Sequence, residues 1–132
     1  MIFILLKIFL LSFLLNLVYE VCHSVLYKTC QEARLNFYVP LILKASLKDA
    51  FFISLFYLIT VFLFRDFFIL NNYWGLSAFI ILCLAFSFVD EKISLKLGRW
   101  QYAANMPKIF GVGLTPLLEL AITGALAFLL IF

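Results

Sequence analysis

The stretch Ile109–Phe132, IFGVGLTPLLELAITGALAFLLIF, decides how this chain is folded. It is long enough to cross a membrane, which takes about 20 mostly apolar residues. Its one charged side chain is Glu119, and Gly111, Gly113 and Pro116 interrupt its beginning. Thr115-Pro116 reads as a helix start, with Thr115 as N-cap and Pro116 at the first helical position, where its missing N–H costs nothing. The two glycines upstream let the backbone bend or take positive φ. The stretch therefore reads as a broken span. Residues 108–114 dip in as non-helical backbone, and the helix proper, Pro116–Phe132, is about 25 Å long, short of a full crossing. Irregular backbone survives at that depth only when buried in protein or lining a wet cavity. The competing reading is one proline-kinked helix over 109–132, with Glu119 near mid-bilayer.

Three more apolar runs lie upstream, at roughly 2–21, 49–70 and 73–89. With 67% apolar and 13% charged residues in 132, and a mean hydropathy of +1.16, the chain cannot cover a water-facing surface. The expected fold is all-α, a polytopic integral membrane protein of four transmembrane helices with a broken or re-entrant start to the last. Residues 1–132 are expected to form a single transmembrane helical domain. The first run reads as a retained helix and not a cleaved signal: Lys7 lies inside it, and VYEVCH follows without a small-x-small site. Cys22, Cys30 and Cys83 form no CxxC pair and read as packing residues.

Ten basic residues orient the bundle. Lys28, Arg34, Lys44 and Lys48 follow the first helix, and Lys92, Lys96, Arg99 and Lys108 follow the third. Only Arg65 falls in the turn between, and Lys7 within helix 1. The positive-inside rule makes the charged side cytoplasmic, with both termini non-cytoplasmic in the cell membrane. Such a surface favours membrane lipids as partners and needs no nucleic acid to explain it.

Ser46-Leu47-Lys48-Asp49 fits a capping pattern and predicts the start of the second helix. Asn71-Asn72 predicts a tight turn, and Asp90-Glu91 the exit of the third helix. The connections 27–46 and 92–108 mix charge with apolar and aromatic residues, and both are expected to lie along the cytoplasmic interface.

Polar groups inside spans cost at least about 2.5–3.5 kcal/mol when charged, so each calls for an explanation. Asn16, Glu20, His23 and Tyr27 share one face of helix 1, as Thr115, Glu119 and Thr123 do on the last helix. The topology sets Glu119 at the depth of Glu20 and His23, with Asp90 or Glu91 entering from the third helix. Three readings compete. The first is interhelical hydrogen bonds that fix packing, at about 0.6 kcal/mol each. The second is a pocket for a lipid, with Asn16, Tyr27, Asp90, Glu91, Trp100, Tyr102, Thr115 and Thr123 as candidate ligand-binding residues. The third is acid–base catalysis by Glu119 with Glu20 or His23 on an apolar substrate. Glu20-x-x-His23 has the spacing of a di-iron ligand pair, but that site needs a second such motif and the chain has one histidine. No metal and no cofactor is expected.

Residues 90–124, DEKISLKLGRWQYAANMPKIFGVGLTPLLELAITG, resemble the C-terminal half of the lycopene cyclase domain of carotenoid-forming membrane proteins. Asp90, Gly98, Trp100, Tyr102, Gly113, Leu114, Pro116 and Glu119 carry the likeness, with Glu119 alone where that family has paired glutamates. The pattern RW-x-Y…MP…GVGL-x-P equally resembles a small uncharacterised bacterial membrane protein. The cyclase resemblance implies protonation of an isoprenoid double bond by Glu119, with a second membrane subunit. The leading expectation is a lipid- or partner-binding membrane component with a polar cluster at the cytoplasmic end. The alternatives are an isoprenoid- or lipid-processing enzyme and an oligomeric transport or channel subunit.

Overall fold

The computed structural model describes all 132 residues and is predominantly helical. Helix α1 spans Ile2–His23 and passes through a single 3-10 turn, Ser24–Leu26, into the short helix α2, Lys28–Gln31. Then come α3, Leu35–Phe64, and α4, Tyr73–Lys96. The strands β1, Lys108–Ile109, and β2, Val112–Gly113, precede α5, Leu114–Ile131. The helical segments Ile2–Leu26, Leu35–Phe64, Tyr73–Lys96 and Leu114–Ile131 are long and apolar enough to cross a membrane, and the protein is membrane-embedded. Large apolar side chains such as Leu10, Leu14, Phe62 and Leu129 stay exposed along them, as lipid-facing surfaces do.

The four long helices sit at the corners of a square. α1 and α4 each pack against both α3 and α5, while α3 and α5 scarcely meet across the diagonal. One half of the interior is apolar, built from Ile8, Ile53, Tyr57, Phe79, Cys83 and Phe128. The seam between α4 and α5 is tight at Gly124, where an added Cβ would lie 2.6 Å from Phe79 Cζ and 2.9 Å from Cε1. Glycine here is a demand of packing: its backbone forms the seat for the Phe79 ring.

Several boundaries differ from the sequence expectation. The second helix begins at Leu35, not at Asp49, and runs through Pro40. Ser46 caps nothing; its hydroxyl donates to the Ile42 carbonyl at 2.9 Å within the helix, and Asp49 is buried. The capping pattern misled because a serine inside a helix can return its hydroxyl to the preceding turn. At about 45 Å, α3 exceeds the roughly 30 Å of hydrocarbon, so its first turns stand beyond the apolar layer. The connection expected to lie along the interface from 27 to 46 shrinks to the segment before Leu35. α3 ends at Arg65, whose φ of 57° is left-handed, and Asn72 caps α4 by accepting from the Gly75 N–H at 2.9 Å. α4 also outruns its expected exit at Asp90-Glu91 and continues to Lys96, because both carboxylates find partners inside the protein.

The last span is broken, as its glycines predict. The break is a β-hairpin: Lys108 pairs with Gly113 and Ile109 with Val112 across the two-residue turn Phe110-Gly111. Both turn residues have positive φ, 51° and 79°, the signature of a type I′ turn. Phe110 accepts that strained conformation while its ring stays 82% exposed. The cap assignment shifts by two residues. α5 starts at Leu114 after Gly113, so Pro116 stands third in the helix, where an N–H would still lack an intrahelical partner. Thr115 does not cap; its side chain is committed elsewhere.

Gly124→Ala is expected to lower stability by about 1–3 kcal/mol through overpacking against Phe79. Thermal unfolding of the detergent-solubilised protein checks this, and an unchanged midpoint would refute the close seam.

Candidate functional site

The polar half of the interior collects the sequence's charged residues at one end of the bundle. It is built from the end of α1, the middle of α3, the end of α4 and the start of α5, which the antiparallel topology brings to one level. The loop Leu97–Pro107 closes this end, tied to the α1–α2 junction. The Lys28 N–H donates to the Gln101 carbonyl at 2.9 Å, the Ala103 N–H to Leu26 at 2.8 Å, and the Gln101 N–H to Thr29 Oγ1 at 2.8 Å.

Two carboxylates serve this closure. Glu91 is buried and accepts from three aromatic donors: Tyr102 OH, Trp100 Nε1 at 3.3 Å and Tyr27 OH at 3.4 Å. Tyr102 OH also accepts from the Gly113 N–H at 2.9 Å, tying the hairpin to the same node. Burial, reinforced by Glu91, pushes both phenols above their ordinary value. They therefore stay protonated donors through neutral pH. Asp90 takes the Lys48 ammonium at 2.6 Å, and that ammonium stands 5.9 Å from the Trp100 ring centre.

Deeper lies a second group. His23 Nε2 is 3.0 Å from Glu20 Oε2 and 3.7 Å from Glu119 Oε2. Its Nδ1 is 3.1 Å from Thr115 Oγ1, and the ring is wedged edge-on between Tyr19 and Tyr27. Thr115 Oγ1 in turn donates to Met106 Sδ at 3.6 Å. Glu119 is 3% exposed, and its Oε1 has no hydrogen-bond partner. Below it, Thr123 Oγ1 shares its one hydrogen between Asn16 Oδ1 at 3.1 Å and the Glu119 carbonyl at 2.8 Å.

The faces drawn from sequence thus come together: Asn16 meets Thr123, and His23 meets Glu20, Glu119 and Thr115. Tyr27, Trp100 and Tyr102 surround Glu91, while Asp90 turns aside to Lys48. Sequence reasoning passed over Asp49, which lies buried beside Glu20 on the floor of the same cleft. The signal was present in the spacing Ile42, Ser46, Asp49, Ile53, one helical stripe, once α3 is allowed to start early. Lys48 was read only as a topological charge.

These residues line a small cleft. Glu20, Asp49, Asp90, Glu91 and Glu119 face Lys48 across it, and Leu41, Ile42, Ala45 and Phe86 form its apolar walls. Its free volume of about 50 Å³ holds a few waters or a small polar group, since one water needs about 10–15 Å³ on this measure. Cys30 also borders it, and burial, with the nearby Glu20, holds its thiol above the usual value, protonated and unreactive at neutral pH.

Fold and site together define a polytopic helical membrane protein with a carboxylate–imidazole cluster buried at one end. No protein-family model matches the chain, and neither does any curated protein or solved structure.

Tyr102→Phe removes the donor to Glu91 and the acceptor for Gly113. It is expected to cost about 1–3 kcal/mol and to raise amide exchange across residues 97–113. Exchange mass spectrometry checks this; protection equal to the wild type would show that the node does not hold the closure.

Proposed function

We propose that this protein is a lipid-binding component of the membrane, its cleft taking the polar head of an amphiphile whose chain runs along Leu41, Ile42, Ala45 and Phe86. The observation that carries this reading is the Glu119 carboxylate, buried in the lining of the cleft, with one oxygen unpartnered. A buried polar group without a partner costs about 1–3 kcal/mol, and a bound head group recovers it. The packing alternative accounts for Glu91 and Asn16, whose buried polar atoms all have a partner, and not for Glu119. A basic rim that includes Lys28, Arg34, Lys92 and Arg99 sets this end toward the cytoplasm and leaves both termini on the opposite side.

Acid–base chemistry on an isoprenoid is the second reading. It is favoured by His23 standing within 3.0 Å of Glu20 and 3.7 Å of Glu119, a proton donor and acceptor pair in an apolar wall. The cleft volume weighs toward the first, because a long polyene would have to lie outside it and present only one bond to Glu119.

Wild-type protein is expected to copurify a defined lipid, and Glu119→Gln to retain at least about tenfold less, a charge-assisted hydrogen bond being worth about 1.5–3 kcal/mol. Mass spectrometry of the extracted lipids reads this; equal retention by the folded variant would sink the proposal. A C-terminal reporter that is active only in the cytoplasm should stay silent, and a strong signal would reverse the orientation.

A further inference from the structure

We infer that Glu20, His23 and Glu119 form a binding site for one divalent first-row metal ion, with Zn²⁺ as its representative. The inference deepens the lipid-binding reading, since it rests on the cleft being a binding site and supplies the group that meets the ligand's head. One donor atom from each of the three residues lies within 4.8 Å of the others. Zn–N and Zn–O bonds of about 2.0–2.2 Å, arranged tetrahedrally, place donors about 3.4 Å apart. The observed 3.0 Å and 3.7 Å separations from His23 Nε2 bracket that figure, and rotation of the Glu119 carboxylate closes the third side.

Thr115 Oγ1 stands 3.1 Å from His23 Nδ1, and Nε2 stands 3.0 Å from Glu20 Oε2. A metal ion on Nε2 would replace the proton that Nε2 otherwise shares with Glu20 and leave the Nδ1 hydrogen to Thr115. Thr115 would then play the part of the outer hydrogen-bond partner that fixes the tautomer of a metal-bound imidazole. The unpartnered Oε1 of Glu119 is a second, independent sign that a ligand is missing from the protein's own hydrogen bonding.

Charge supports the same occupant. Two carboxylates, a neutral imidazole and a divalent ion sum to zero, which a low-dielectric site requires. One nitrogen and several oxygens, with no thiolate among them, suit Zn²⁺ or Mn²⁺ better than Ca²⁺ or Mg²⁺, which prefer oxygen alone. Three protein ligands leave a coordination position open toward the cleft, where an oxygen of the lipid head group would bind.

The test uses the full chain in detergent with a purification tag free of histidine. After chelation and reloading, the wild type should hold about one Zn²⁺ per chain by elemental analysis. His23→Gln and Glu119→Gln should each bind at least about tenfold more weakly, and Glu32→Gln, exposed and outside the cleft, as tightly as the wild type. Thr115→Val should lose about tenfold and Thr115→Ser recover it, as for a positioning residue. Cu²⁺ offers a readout that needs no variant: the chain has one histidine, so hyperfine coupling to an imidazole nitrogen can come only from His23. Substoichiometric Zn²⁺ in the wild type, Cu²⁺ bound without nitrogen coupling, or unchanged affinity in folded Glu119→Gln would each overturn the site. Lipid retained without metal would leave the lipid-binding reading standing and remove only this inference. Metal held without lipid would do the reverse.

Discussion

Five carboxylates share one end of a bundle whose surroundings are hydrocarbon, with a single ammonium and a single imidazole among them. Bringing an ionised group into that medium is costly unless it is paired, hydrogen-bonded or neutralised. The arrangement of this end of the molecule follows from that constraint. Asp90 is met by Lys48. Glu91 is met by three aromatic donors, at the price of fixing a loop and a hairpin around it. Glu20 has the imidazole, and what remains unbalanced is Glu119 with its neighbour Asp49.

The loop over the cluster is therefore more than a connection. Its backbone borrows hydrogen-bonding groups from the α1–α2 junction, and its aromatic side chains reach down to a carboxylate on α4. Through Tyr102 the same node holds the N–H of Gly113, the residue just before α5. Mechanical support for the floor of the cleft runs through its ceiling.

Much of this was legible in the sequence, for identifiable reasons. The four spans and the interruption before α5 follow from apolar run length and from the glycines at 111 and 113. The i, i+4, i+7 and i+11 spacing of Asn16, Glu20, His23 and Tyr27 put them on one face, and charge-based topology placed that face level with Glu119. The misses have one cause: local polar signals were read as termini when tertiary partners had absorbed them. Ser46 and Asp49 imitate a cap but lie inside α3, Asp90 and Glu91 imitate an exit but are paired, and Thr115 imitates a cap but serves His23. Helix ends are local features that distant partners overrule, and a membrane interior offers strong reasons to do so. The contacts of Thr115 with His23 and Met106 had no pattern in one dimension.

Phe110 stands at the tip of the hairpin in a left-handed backbone conformation that disfavours a bulky residue. Glycine or asparagine would sit there with less strain. The backbone pairing of the hairpin holds the conformation, and the ring packs against little of the protein, so it adds bare aromatic surface to this end of the bundle. Such rings settle in the layer between hydrocarbon and water.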